Sequence, residues 1–254
     1  AIFCFGLVQA QTAEQIFKAA GSPAKPKVNV SWNRYYDHAG ITEICKKIAA
    51  AHPELAKLQS IGKSFKGRDI WCLTITDFKT GNADQKPGMY IDGNIHSNEV
   101  QGAEFSMYTA WYLTESFKDT RFIKELLADK VFYIVPTINP DGRDRYVNWY
   151  NNAVGSTYNT DPAAREHMEP WPAGRTNHYN FDLNRDWAWQ TQKETQQRIP
   201  LYQSWYPQVH VDFHEQGYNE PYYFAPAAEP LHDVLTPWQK SFQDQIGKNH
   251  AKYF

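Results

Sequence analysis

Apolar positions along the chain switch between two spacings, and each switch marks an element. Ile41, Ile44, Cys45 and Ile48 recur at helical spacing, and Pro53 bounds the helix they predict. Ile70 to Thr76 and Met89 to Asp92 read as strands, separated by the turn-like Lys79-Thr80-Gly81-Asn82. Helices are predicted from about Glu99 to Phe117 and from Arg121 to Ala128. Val131 to Ile138 is an unbroken apolar run, the mark of a strand covered on both faces. Thr191 to Trp205 reads as a helix, and after Pro207 the last strand spans Val209 to Phe213. Between Asn139 and about Asn180 little is periodic. So long a stretch inside a compact domain is expected to be a functional loop system.

Strands alternating with helices predict an α/β fold, with a mixed, mostly parallel twisted sheet and helices on both faces. Ligands of such sheets bind beyond the carboxyl ends of the strands. Three polar motifs lie there: Gly93-Asn94-Ile95-His96-Ser97-Asn98-Glu99, Asn139-Pro140-Asp141-Gly142 and His214-Glu215-Gln216-Gly217. Strands pointing the same way would bring these motifs together.

Charge narrows the classes of function. With 26 basic and 28 acidic residues and no basic run, the chain has no signature of a nucleic-acid partner. Past the first ten residues no apolar stretch approaches the ~20 residues of a membrane span. Residues 1–10 form a short apolar run closing on the small Ala10, ahead of the polar Gln11 to Gln15. They read as the remnant of a signal peptide, which predicts a secreted or periplasmic protein; a buried N-terminal strand is the competing reading. Residues 11–34, with the Pro/Lys-rich Ser22 to Lys27, are expected to be an N-terminal segment and linker, and residues 35–254 the main domain. Three cysteines make no framework, and Cys45 and Cys72 are expected to be two buried thiols.

A catalytic zinc site takes three His or carboxylate ligands and leaves a position for water. His96 and Glu99 are three residues apart where a strand gives way to a helix, so both can reach one point. Alone, the pair also fits a surface histidine beside a carboxylate favoured by a helix N-terminus. Two candidates for a third ligand, His210 and His214, lie four residues apart. Val209, Val211 and Phe213 alternate with His210, Asp212 and His214, as in a strand, and four strand residues span about 13 Å. Only one of the two can join the site. His214 stands at the outgoing strand end and is the one expected; His210 is assigned to the core or to a supporting role.

His96-Ser97-Asn98-Glu99, Asn139-Pro140-Asp141-Gly142, Gly174-Arg175, Phe181-Asp182-Leu183-Asn184-Arg185 and His214-Glu215 occur in one order. In that order they resemble the zinc carboxypeptidases of the carboxypeptidase A type. The wording Phe-Asp-Leu-Asn-Arg, with an Arg nine residues before the Asn, is most similar to the regulatory branch that includes carboxypeptidases D and M. The resemblance covers roughly residues 35 to 225. It implies that His96, Glu99 and His214 hold Zn2+, and that Asp182 accepts a hydrogen bond from His96. It further implies that Arg175 stabilises the oxyanion, while Asn184 and Arg185 grip the free C-terminal carboxylate of a peptide substrate.

The family also uses a glutamate as general base and a tyrosine that closes over the substrate, both well after the third ligand. No segment of the forty residues after His214 resembles those motifs; Glu215, Glu220 and Glu229 lack the matching context. The chain is therefore expected to lack the C-terminal part of the fold, and these 254 residues alone to bind zinc without useful hydrolysis. Two alternatives stay open: a zinc amidase or deacylase acting on cell-wall peptides or N-acyl amino acids, and a non-catalytic peptide-binding homologue.

Overall fold

A computed structural model describes residues 21–217 and 219–253. The signal-like segment and Cys4 lie outside the described residues. Contacts divide the chain into two compact units, Ala1–Glu215 and Gln216–Phe254. Among the described residues no helix is long and apolar enough to cross a membrane.

Among the described residues the first unit has five strands: β1 (Ala56–Lys63), β2 (Asp69–Ile75), β3 (Gly88–Gly93), β4 (Val131–Val135) and β5 (Val209–Phe213), in the order β1-β2-β4-β3-β5. β1 with β2 and β2 with β4 are antiparallel, whereas β3 runs parallel to both β4 and β5. Parallel pairing thus makes up half of a mixed sheet, and it is confined to the strands that carry the site. α1 (His38–Ala51) precedes β1; α2 (Gln101–Glu115) and α3 (Arg121–Asp129) connect β3 to β4, and α4 (Pro140–Ala153) and α5 (Lys193–Trp205) connect β4 to β5.

The unbroken apolar run in β4 reflects two cores. Phe132 and Ile134 face a cluster with Ile41, Ile44 and Ile48 of α1 and with Met107 and Trp111 of α2. Val131, Tyr133 and Val135 face the other way, toward Leu201, Tyr202 and Trp205 of α5. The Tyr133 and Trp205 rings stack with centroids 4.2 Å apart. All five β4 residues are buried, as a strand covered on both faces requires. Cys45 and Cys72 are free thiols, one toward each core, and burial pushes the Cys45 pKa up to about 12.

One local reading is corrected, and two segments are added to it. The stretch after Asn139 begins with a helix, α4, rather than a loop. Asn139 caps it by accepting from the Gly142 amide at 3.0 Å, and Pro140 occupies the first turn, where its missing N–H costs nothing. β1 carried no clear alternation, because as an edge strand it buries little beyond Ala56 and Ile61. The chain just after the Pro/Lys-rich Ser22 to Lys27 is packed against the core. Val28 and Val30 are buried, and Glu115 accepts from the Lys27 and Val28 amides at 2.8 Å each.

The second unit contains α6 (Pro237–Tyr253), in which Gly247 lies directly against the Ala225 carbonyl.

β3 and α2 approach so closely at Gly93 that an added Cβ would stand 2.5 Å from the Gly102 carbonyl oxygen. Gly93→Ala should therefore cost about 1–3 kcal/mol through overpacking. A lowered urea midpoint with an unchanged m-value is the expected readout.

Candidate metal centre

Parallel register decides where the site forms. β3 and β5 pair from Met89↔Val209 to Gly93↔Phe213, so both strands end at the same edge. His214 leaves β5 there, and the turn after β3 carries His96 and Glu99. β4 ends beside them, and its continuation is bonded to the same turn: the Ile138 amide donates to the Gly93 carbonyl and the Asn139 amide to the Asn94 carbonyl, both at 3.1 Å. Asn94 takes a left-handed φ of 53°, a conformation asparagine tolerates better than most residues.

The turn is clamped from below by Arg143 of α4, whose guanidinium is completely buried. It donates to Asn94 Oδ1 at 2.9 Å, to the Val100 carbonyl at 2.8 Å and to the Tyr36 carbonyl at 2.8 Å, and it pairs with Glu104. Arg143 was not singled out in the sequence; its signal lay in following Asn139-Pro140-Asp141-Gly142 directly.

His96, Glu99 and His214 each offer one ligand atom, and these atoms lie within 4.8 Å of one another. His96 Nδ1 is 2.8 Å from Glu99 Oε1, and His214 Nδ1 is 3.1 Å from Glu99 Oε2. Two imidazole nitrogens and a carboxylate suit a borderline divalent cation in a three-ligand site with an open position. His96 is buried, whereas the His214 side chain is 31% exposed, so the cluster opens to solvent on the β5 side.

The remaining predicted residues separate into two groups. Asp182 and Arg175 reach the cluster. Asp182 Oδ1 is 2.9 Å from His96 Nε2, and Arg175 pairs with Glu99 Oε1 at 3.0 Å and with Asp182 Oδ2 at 3.3 Å. Asn184 and Arg185 lie in the short turn that follows Asp182, but none of their hydrogen bonds is to the three-residue cluster. The Asn184 amide nitrogen donates to Asp182 Oδ1 at 2.8 Å, the Trp187 indole holds Asn184 Oδ1 at 3.0 Å, and Arg185 is exposed. His210 is bound elsewhere, with Nε2 3.1 Å from Asp92 Oδ1 on β3. Burial pushes the Asp92 pKa up against the pull of that histidine.

Charge in the cluster is unevenly shared. Burial opposes ionisation of Glu99, yet hydrogen bonds from His214 and His96 and from the Glu215 amide hold its carboxyl well below the usual range. The Asp182 carboxyl is likewise lowered, burial being outweighed by His96. Hydrogen bonds to Asp212 and Glu99 raise the His214 pKa to about 10. The Glu215 carboxylate accepts from the Gln101 amide at the start of α2, and burial raises its pKa.

A family model for zinc carboxypeptidases matches residues 41–218, a span that contains every residue of this cluster. The chain belongs to the zinc carboxypeptidase family. Within that family it is 32% identical over 153 residues to carboxypeptidase Z of Rattus norvegicus, a match covering 60% of this chain and 21% of that protein. It is 29% identical over 181 residues to an inactive metallocarboxypeptidase of Ajellomyces capsulatus, covering 70% of this chain and 27% of that one. The metallocarboxypeptidase of Burkholderia cenocepacia shares the fold, with a TM-score of 0.53 at 18% identity over 72% of this chain and 42% of its own. The matched part of the chain thus spans less than half the length of each of these relatives.

The raised His214 pKa gives the metal-free family member a pH signature. An upward shift means that this contribution to stability is complete below the ordinary value of 6.5 and is lost as the pH climbs through about 10. Melting of chelator-treated protein should show a fall in Tm between these limits, and His214→Ala should flatten it.

Proposed function

We propose that the chain carries the metal-binding half of a zinc-dependent carboxypeptidase, which hydrolyses the C-terminal peptide bond of peptides. The observation that carries this reading is the convergence of His96, Glu99 and His214 to within 4.8 Å at two neighbouring parallel strand ends. The donor set fits zinc, which when bound lowers the pKa of a coordinated water toward ~7 and so supplies hydroxide at neutral pH. Export as a secreted or periplasmic enzyme is part of the same reading, resting on the apolar run at residues 1–10.

The chain's own residues supply the rest. Asp182 accepts from His96 Nε2 and leaves Nδ1 facing Glu99. Arg175 has a guanidinium 43% exposed at the edge of the cluster, where its forked donors can turn to a developing oxyanion. Asn184 and Arg185, one turn beyond Asp182, are the donors for a free terminal carboxylate, and this makes the enzyme an exopeptidase. Glu215 is not assigned as the general base, since its carboxylate is engaged at the start of α2.

Titration of the metal-free chain with Zn2+ should reach about one equivalent. His214→Ala should abolish nearly all of that affinity, whereas His210→Ala should keep most of it; the reverse result would overturn the choice of ligand.

For the complete protein, peptides with a free C-terminus should be cleaved and their C-terminal amides spared. Equal rates on the two would point to an endopeptidase. Arg175→Ala should lower kcat by about 10²–10³, the usual loss for one oxyanion donor. A change confined to KM would assign Arg175 to binding alone.

A further inference from the structure

The His214 ring is held at both nitrogens. Nδ1 stands 3.1 Å from Glu99 Oε2, and Nε2 stands 2.8 Å from Asp212 Oδ2. His96 repeats the pattern, with Nδ1 2.8 Å from Glu99 Oε1 and Nε2 2.9 Å from Asp182 Oδ1. Each imidazole therefore turns Nδ1 toward the one shared carboxylate and sets Nε2 against a carboxylate of its own.

We infer that Asp212 is a positioning residue of the metal centre: it accepts the Nε2–H of His214 and so holds the Nδ1 lone pair toward the metal position. The inference rests on the zinc reading above and extends it to a second carboxylate–imidazole pair. A neutral imidazole carries one N–H, and an ionised carboxylate can only accept. With a cation in place of the proton between Nδ1 and Glu99, the one N–H left to His214 would be on Nε2, where the Asp212 oxygen accepts it and raises the basicity of Nδ1.

Two features separate this arrangement from a chance surface contact. Asp212 lies within β5, its backbone in register with Asp92 of β3, and strand alternation puts residues 212 and 214 on one face, roughly 7 Å apart. The carboxylate is therefore offered from a rigid strand rather than from a loop. Moreover, Asp212 Oδ1 is buried with no hydrogen-bond partner among the described residues. An acid in that position bears a desolvation cost that packing alone does not explain, and its bond to His214 offsets it. Asp92, its neighbour across the strands, is already engaged by His210.

The test compares zinc dissociation constants, measured by chelator competition on the 254-residue chain, for wild type, Asp212→Asn, Asp182→Asn and His214→Ala. Ring-nitrogen NMR of the zinc-loaded wild type accompanies it. Asp212→Asn, folded by circular dichroism, should weaken zinc by about 10–100-fold, as should Asp182→Asn. The NMR spectrum should place the proton of His214 on Nε2 and the metal on Nδ1. An Asp212→Asn affinity within about threefold of wild type, with His214→Ala having lost zinc, overturns the role of Asp212 and leaves the zinc reading intact. Ligation of His214 through Nε2 overturns it as well, and this measurement decides the matter if Asp212→Asn fails to fold. Wild-type affinity in His214→Ala would instead sink the zinc reading itself.

Discussion

The Arg143 guanidinium lies in the interior with no exposed surface, among acceptors drawn from three parts of the chain: Tyr36 ahead of α1, Asn94 and Val100 of the turn after β3, and Glu104 of α2. A buried ion costs several kcal/mol unless its hydrogen bonds are satisfied, and removing one partner of such a pair typically costs about 3–5 kcal/mol. That demand makes the arrangement specific. Asn94 and Val100 bracket the turn that carries His96 and Glu99, so both ends of the turn are pinned to α4 through one side chain. Glu104, whose pKa burial pushes up against the pull of Arg143, ties the same point to α2. The geometry of the cluster is inherited from this buried contact and from the close approach of Gly93 to Gly102.

Electrostatics give the site its direction. Glu99 collects donors from His96, His214, Arg175 and the Glu215 amide. Asp182 and Asp212 add two further carboxylates, each bonded to an imidazole of the cluster. Against these three acids stand Arg175 and His214, which Asp212 and Glu99 draw toward its charged form. Histidine must be neutral to act as a ligand, so a cation entering this cluster would displace a proton. The cluster opens to solvent at His214, whose side chain is 31% exposed.

Periodicity carried the sequence reading wherever apolar side chains do the packing. α1, α2, α3, α5, β2, β3 and β5 fall close to the spans expected of them. It failed where polar contacts replace apolar ones. α4 buries Asp141 and Arg143 but only one aliphatic side chain, Val147, and it is held by charge pairing, with Arg68 2.8 Å from Asp141 and 2.6 Å from Asp144. A hydrophobic pattern has nothing to register there. β1 escaped for a different reason, since an edge strand buries only part of one face.

What the sequence by itself determined is the chemistry available: which side chains can ligate, the order of the motifs and the family they mark, and the strand alternation that separates His210 from His214. These are local properties, set by residue type and by spacing along one element. Only the tertiary structure decided which of those groups meet. The parallel register of β3 with β5 brings Glu99 to His214 across 115 positions of sequence. The same register places Asp212 behind His214 on a rigid strand and joins His210 to Asp92 instead. Pairing of distant strands depends on the whole core closing at once, and no spacing within a single segment records it.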